Sequence, residues 1–146
     1  MKAGIPSGTP IAYKNGMTSM KVLIVDDNQL LCWGLGKTLS KRGIIHHAVE
    51  NGTDALSEIR SAFYDLVFLD IKLPDANGLD LLPVIRGISP GTKVVVISSN
   101  GSESNVRRAM AAGAVRFMEK PYTCEELAEA LEAVFPRKSE GKPASK

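Results

Sequence analysis

Asp26 and Asp27 stand together at the end of one apolar run, Lys21-Val-Leu-Ile-Val25, and Asp70 closes a second, Asp65-Leu-Val-Phe-Leu69. Two further polar groups follow apolar runs in the same way. Ser98 comes directly after Lys93-Val-Val-Val-Ile97, and Lys120 lies just past the run 115–118. If these runs are strands of one sheet with a common direction, three carboxylates, a hydroxyl and an ammonium gather along one edge. Three clustered carboxylates repel one another unless protons or a cation intervene. Hard oxygen donors suit Mg2+, which takes one or two carboxylates together with phosphate oxygens and water; Mn2+ suits the same donors. Phosphoryl transfer needs little covalent machinery beyond an acceptor, but it needs in-line positioning and neutralisation of three equatorial oxygens. A metal held by the acids, Lys120 and the Ser98 hydroxyl could each serve one oxygen, with one carboxylate as the nucleophile that becomes an acyl phosphate.

The elements that must position these groups alternate five times. Strands are expected at 21–25, 44–49, 65–69, 93–97 and 115–118, and helices near 28–42, 53–62, 79–87, 103–112 and 123–135. The strands are short, β-branched and apolar throughout, as strands buried on both faces are. Gly43 and Gly113 read as helix stops, and Thr123 with Glu126 has the spacing of a capping box. The third helix contains Pro83, which is harmless in a first turn if Asp80 is the cap. Gly34 and Gly36 lie inside the first helix, a cost that close packing on the sheet would justify. Five strand–helix units predict an α/β fold: a doubly wound, five-stranded parallel sheet, flavodoxin-like, with order 2-1-3-4-5. That order makes strands 1 and 3 neighbours, so that Asp26, Asp27 and Asp70 meet.

At 146 residues, 44% hydrophobic and 23% charged, the composition is that of an ordinary globular domain. No apolar stretch has membrane-spanning length and no signal peptide opens the chain. Cys32 and Cys124 form no disulfide framework, which favours a reducing cytoplasm. The net charge of +2 divides unevenly: residues 1–20 carry +2 and 136–146 carry +3, around an acidic body. Both ends, rich in Gly, Pro, Ser and Lys, are expected to be disordered, with Met17 and Met20 as alternative starts. They lack the aromatics of a single-strand nucleic-acid site. The eleven residues after the fifth helix are too few for an output domain.

Four segments, in order, carry a resemblance to a known family. They are Val22-Leu-Ile-Val-Asp26-Asp27-Asn28, Asp65-Leu-Val-Phe-Leu-Asp70-Ile-Lys-Leu-Pro-Asp-Ala-Asn-Gly-Leu79, Val94-Val-Val-Ile-Ser98-Ser99, and Ala112-Gly-Ala-Val-Arg-Phe117-Met-Glu-Lys120-Pro121. The chain resembles the receiver domains of two-component response regulators, of the chemotaxis-regulator type, over residues 21–135. The resemblance implies that Asp70 accepts a phosphoryl group from a sensor histidine kinase or phosphotransfer protein in a Mg2+-dependent step. It implies Asp27, Asp70 and the Lys72 backbone carbonyl as direct metal ligands, with Asp26 acting partly through water. Lys120 would contact the phosphoryl group beside a cis Pro121. Ser98 would be the switch hydroxyl, and Phe117 the aromatic that reports its movement to a protein-binding surface. Lys72 and Asn100 occupy positions that tune the phosphate's lifetime; Lys72 departs from the commoner choices. Such a protein is cytoplasmic, a monomer or a phosphorylation-dependent dimer. It binds neither membrane nor nucleic acid directly, and has self-catalysed phosphoryl uptake and autodephosphorylation in place of turnover.

Other readings compete. A receiver-like binding module without phosphate chemistry would have lost acid-pocket residues, and none is missing. A phosphatase with an aspartate nucleophile would carry Asp-x-Asp after strand 1, where this chain has Asp26-Asp27-Asn28. A flavodoxin would have a hydroxyl-rich first loop. His46 and His47 alternate faces on strand 2 and cannot share a metal. Trp33 falls off the Leu31–Leu35–Leu39 stripe, where an exposed ring could meet the phosphodonor. Arg107 and Arg108 read as a solvated face.

Overall fold

Strands and helices alternate along residues 20–136, the part of the chain that the computed structural model describes. Their order is β1 (Lys21–Val25), α1 (Gln29–Lys41), β2 (Ile45–Val49), α2 (Gly52–Ser61), β3 (Leu66–Asp70), α3 (Gly78–Ile88), β4 (Lys93–Ser98), α4 (Glu103–Ala111), β5 (Arg116–Glu119) and α5 (Cys124–Val134). The expected disorder of the two ends lies outside the described residues, save Met20 and Pro136. All strand pairs are parallel, and the sheet order is β2-β1-β3-β4-β5, as expected. No described helix is long and apolar enough to cross a membrane.

The sheet separates two apolar layers. Leu23, Val25, Val67, Leu69, Val94 and Val96 pack with α2, α3 and α4 through Ile59, Leu82, Ile85 and Ala109. Their strand neighbours Val22, Ile24, Leu66, Phe68, Val95 and Ile97 pack with α1 and α5 through Leu35, Leu39, Leu127 and Leu131. Because both faces are covered, alternation along β1, β3 and β4 disappears into continuous apolar runs. The edge strand β2 keeps Ile45, His47 and Ala48 exposed. Phe68 is 1% exposed in the α1–α5 layer. Phe68→Ala should therefore cost about 3–5 kcal/mol, read as a lower urea midpoint at unchanged slope; a loss near zero would mean that this layer collapses freely around the gap.

Helix ends follow local chemistry. Asn28, Asn51, Asn77, Ser102 and Thr123 each cap a helix through a side-chain oxygen, and Thr123 with Glu126 completes the expected capping box. After α1, Gly43 at φ 75° donates to the Ser40 carbonyl and Ile44 to the Leu39 carbonyl, both at 3.0 Å. This left-handed stop consumes the Ile44 N–H, so β2 begins at Ile45 and not at Ile44. Gly113, at φ 106°, ends α4 in the same manner.

The third helix corrects the expectation built on Pro83. Asn77, not Asp80, is the cap: its side chain accepts the Leu79 N–H at 2.8 Å, and α3 starts at Gly78. Pro83 thus sits within the helix. It removes the bond that would reach the Leu79 carbonyl, but buried Leu82 and Ile85 hold the segment on the sheet. Asp80 instead pairs with Arg108 across to α4, on a face where Arg107 and Arg108 are exposed as expected. Gly36 lies close against the His46 ring, as close packing required, whereas Gly34 has open space around it.

Candidate functional site

Parallel register delivers the acids. Val25 pairs with Leu69, so Asp26 and Asp70 are the next residues on adjacent strands. One carboxylate oxygen from each of Asp26, Asp27 and Asp70 lies within 4.8 Å of the others. Asp26 and Asp70 are buried at 2% and 6% exposure, and Asp27 faces solvent. The Asp26 backbone N–H donates to the Val49 carbonyl, and its Oδ1 accepts the Asn28 N–H at 2.9 Å. β3 and β4 each extend one residue beyond the expected run, so Asp70 and Ser98 are strand residues with their backbones held in the ladder.

Lys120 is the cation of the cluster. Its Nζ is 2.9 Å from Asp26 Oδ2 and 3.4 Å from Asp70 Oδ2. Burial alone would lower this ammonium, but the two carboxylates outweigh burial and hold it above its ordinary value. For Asp70 the balance goes the other way. Burial first, and repulsion by Asp26 second, raise its carboxyl above the usual range, although Lys120 and the Lys72 N–H pull it back.

Three carboxylates facing one ammonium leave an excess of negative charge that a divalent cation would balance. Asp26 Oδ2 is buried, and its one partner among the described residues is the Lys120 ammonium at 2.9 Å. Three carboxylate oxygens within 4.8 Å of one another, with a single ammonium among them, make a donor set that suits a hard cation. The residues present therefore fit Mg2+ or Mn2+.

The other expected site residues reach the same edge. Ser98 is buried at 4% while Ser99 is exposed, which separates the two hydroxyls. Ser98 Oγ accepts the Asn100 N–H at 2.9 Å, and the Ser98 carbonyl accepts the Lys120 N–H at 2.8 Å. The Lys120–Pro121 bond is cis, as expected. Lys72 is exposed on the loop after Asp70, with its N–H 3.4 Å from Asp70 Oδ1. Asn100 is exposed, and its side chain accepts the Ser102 N–H ahead of α4. Phe117 pairs with Val96 and is half-buried against the α2–α4 layer.

His46 and His47 do diverge: His46 meets Ser40 at 3.1 Å, and His47 meets Glu58 at 3.7 Å. Trp33 is 64% exposed, with Lys37 over its ring. Beside it, a groove between α1 and β2 is lined by Gln29, Cys32, His46 and Glu50. Sequence reasoning passed over Gly78, where a Cβ would overlap the Asp70 carbonyl oxygen. The Asn77-Gly78 pair, an N-cap followed by the smallest residue, was the available signal.

Comparison with known proteins agrees with this geometry. A family model described as the response regulator receiver domain matches residues 22–132. The chemotaxis protein CheY of Thermotoga maritima is 34% identical over 115 residues, 78% of this chain and 96% of that protein. The two-component response regulator PhoP of Pseudomonas aeruginosa is 32% identical over 82% of this chain, which spans only 53% of that longer protein. A crystal structure of a two-component response regulator from Clostridium difficile superimposes with a TM-score of 0.78 at 28% identity, covering 82% of this chain and 98% of the other.

Proposed function

The chain belongs to the response regulator receiver domains, the phosphoryl-accepting modules of two-component systems, and from that premise we propose that Asp70 is the acceptor. Receiver domains take phosphoryl groups from histidine kinases or phosphotransfer proteins and are not turnover enzymes. The observation that carries the residue assignment is Lys120, held between Asp26 and Asp70 at the end of the sheet. Asp70 attacks phosphorus, and an O–P bond forms as the donor's bond to phosphorus breaks. Lys120 Nζ is placed to follow one phosphoryl oxygen, and Ser98 Oγ, one strand over, to donate to another. Asp26, Asp27, Asp70 and the Lys72 carbonyl would hold Mg2+, which when bound screens the acids and the incoming oxygens. Lys72 and Asn100 flank the phosphate and set how fast water removes it in autodephosphorylation.

The same reading assigns the surfaces. Added phosphoryl charge of about −1.5 to −2 draws Ser98 and Lys120 inward, and Phe117 carries the change toward the α4–β5–α5 face. Trp33 is offered to the phosphodonor. The receiver unit is 21–135, cytoplasmic, a monomer or a phosphorylation-dependent dimer, without direct nucleic-acid or membrane contact. Incubation with Mg2+ and acetyl phosphate should add one phosphoryl group by intact mass, and EDTA should prevent it. An adduct formed equally well in EDTA would overturn the metal assignment.

A further inference from the structure

The segment from Ile71 to Asn77 leaves the acceptor strand and returns to start α3, and its two ends are fixed by different contacts. At its base Lys72 and Asn77 form an isolated antiparallel bridge, the Leu73 N–H donates to the Ala76 carbonyl at 3.1 Å, and the Gly78 N–H donates to the Ile71 carbonyl at 2.7 Å. At its tip Asp75 reaches the first turn of α2. Its Oδ1 accepts the Gly52 N–H at 2.7 Å, and its Oδ2 accepts the Thr53 N–H at 3.0 Å and the Thr53 hydroxyl at 2.8 Å.

These are orphan donors of a helix start, where a carboxylate is favoured by the helix dipole. Asn51 serves the Asp54 N–H of the same turn at 2.8 Å, so local and distant acceptors divide the work. Gly52 allows the approach: a Cβ there would come within 2.9 Å of Leu81 Cδ1 and 3.1 Å of Ala76 Cβ. The Gly52 N–H, ahead of the two Thr53 donors, also holds the Asp75 carboxyl below the usual range.

We propose that Asp75 is a positioning residue for the phosphorylation site: by tethering the loop tip to α2, it keeps the Lys72 carbonyl at the acid edge beside Asp27 and Asp70. The inference rests on the reading of Lys72 and the aspartates as metal ligands. Asp75 touches neither metal nor phosphoryl group, and it acts on Lys72 through Leu73 and Pro74. Lys72 lies between the Ile71–Gly78 and Leu73–Ala76 hydrogen bonds, and without the tether these base contacts alone hold the turn that presents it.

The test is calorimetric titration of Mg2+ into the full chain, for the wild type, Asp75→Ala, Asp75→Asn and Thr53→Val, beside thermal unfolding in EDTA. Loss of an outer partner typically weakens metal binding 10–100-fold, so Asp75→Ala should weaken Mg2+ about tenfold at a temperature where it is fully folded. Asp75→Asn, which keeps an acceptor oxygen without the charge, and Thr53→Val, which keeps the backbone donors, should fall between it and the wild type. Variants with a lower melting temperature but wild-type Mg2+ affinity would show a merely structural tie and overturn the proposal. If Asp75→Ala does not fold, wild-type affinity in both milder variants overturns it equally. A wild type that binds no Mg2+ and takes up no phosphoryl group would instead remove the reading of the site itself.

Discussion

Replacing Asp70 with Asn should abolish phosphoryl uptake from acetyl phosphate and, in EDTA at neutral pH, should make the protein harder to unfold. The first result follows from removing the attacking oxygen; Asn offers no carboxylate to form an acyl phosphate. The second follows from the direction in which Asp70 is perturbed. Its carboxyl is raised by burial and by Asp26, so the folded chain holds that proton more tightly than the unfolded chain does. A raised acid favours folding where it is protonated, and that contribution is lost as pH rises from the ordinary carboxylate range through the folded value. At pH 7 the ionised Asp70 is therefore a liability that Asn removes, and the advantage of the variant should shrink as the pH is lowered through that window. Added Mg2+ should narrow it too, because the wild type has the fuller set of oxygen ligands. Urea unfolding at two pH values, with and without Mg2+, checks the sign. A variant less stable than the wild type in EDTA would mean that the contact with Lys120 outweighs burial and repulsion at this site.

Where a residue's partners lay close in sequence or its burial was two-sided, the chain was legible. Continuous, β-branched runs such as Val22–Val25, bounded by polar residues, read as strands covered on both faces, and Thr123 with Glu126 declares its own helix start. Asp26, Asp27 and Asp70 announced a site because each closes such a run. Lys120 joins them from just past β5, two strands from β3, its side chain reaching Asp70 and Asp26 along the edge that the expected order 2-1-3-4-5 assembles. The start of α3 falls within one residue of the expected 79, but its cap is Asn77 and not the Asp80 that Pro83 suggested, and burial of Leu79, Leu82 and Ile85 holds Pro83 inside the helix. The pairings of Arg108 and Asp75 escape the sequence for one reason. Asp80 and the first turn of α2 are their partners, each more than twenty residues away, and no local pattern marks such a pairing.

Lys120→Met should act on stability with the opposite sign to Asp70→Asn while also crippling uptake. With the ammonium gone, Asp26 Oδ2 and Asp70 Oδ2 lose the only cation that the described residues place between them, at 2.9 and 3.4 Å. Two buried carboxylates then face each other uncompensated, and breaking a buried pair from one side is costly because the remaining charge stays behind. The stability lost at pH 7 in EDTA should return in part at pH 5, where one carboxylate can take up a proton, and in part with Mg2+. The rate should not return. Loss of a fixed donor aimed at developing charge typically costs about 10²–10³-fold, and a proton on Asp70 removes the nucleophile as well. An intact-mass time course at both pH values separates the two effects. Wild-type uptake by the variant at pH 7 would show that Lys120 is a structural counter-ion alone, and that the metal and Ser98 suffice for the phosphoryl oxygens. Partial uptake by Lys120→Arg, with stability kept, would instead show that the charge is required but that its position, set by the shorter reach of an ammonium into this buried corner, governs the rate.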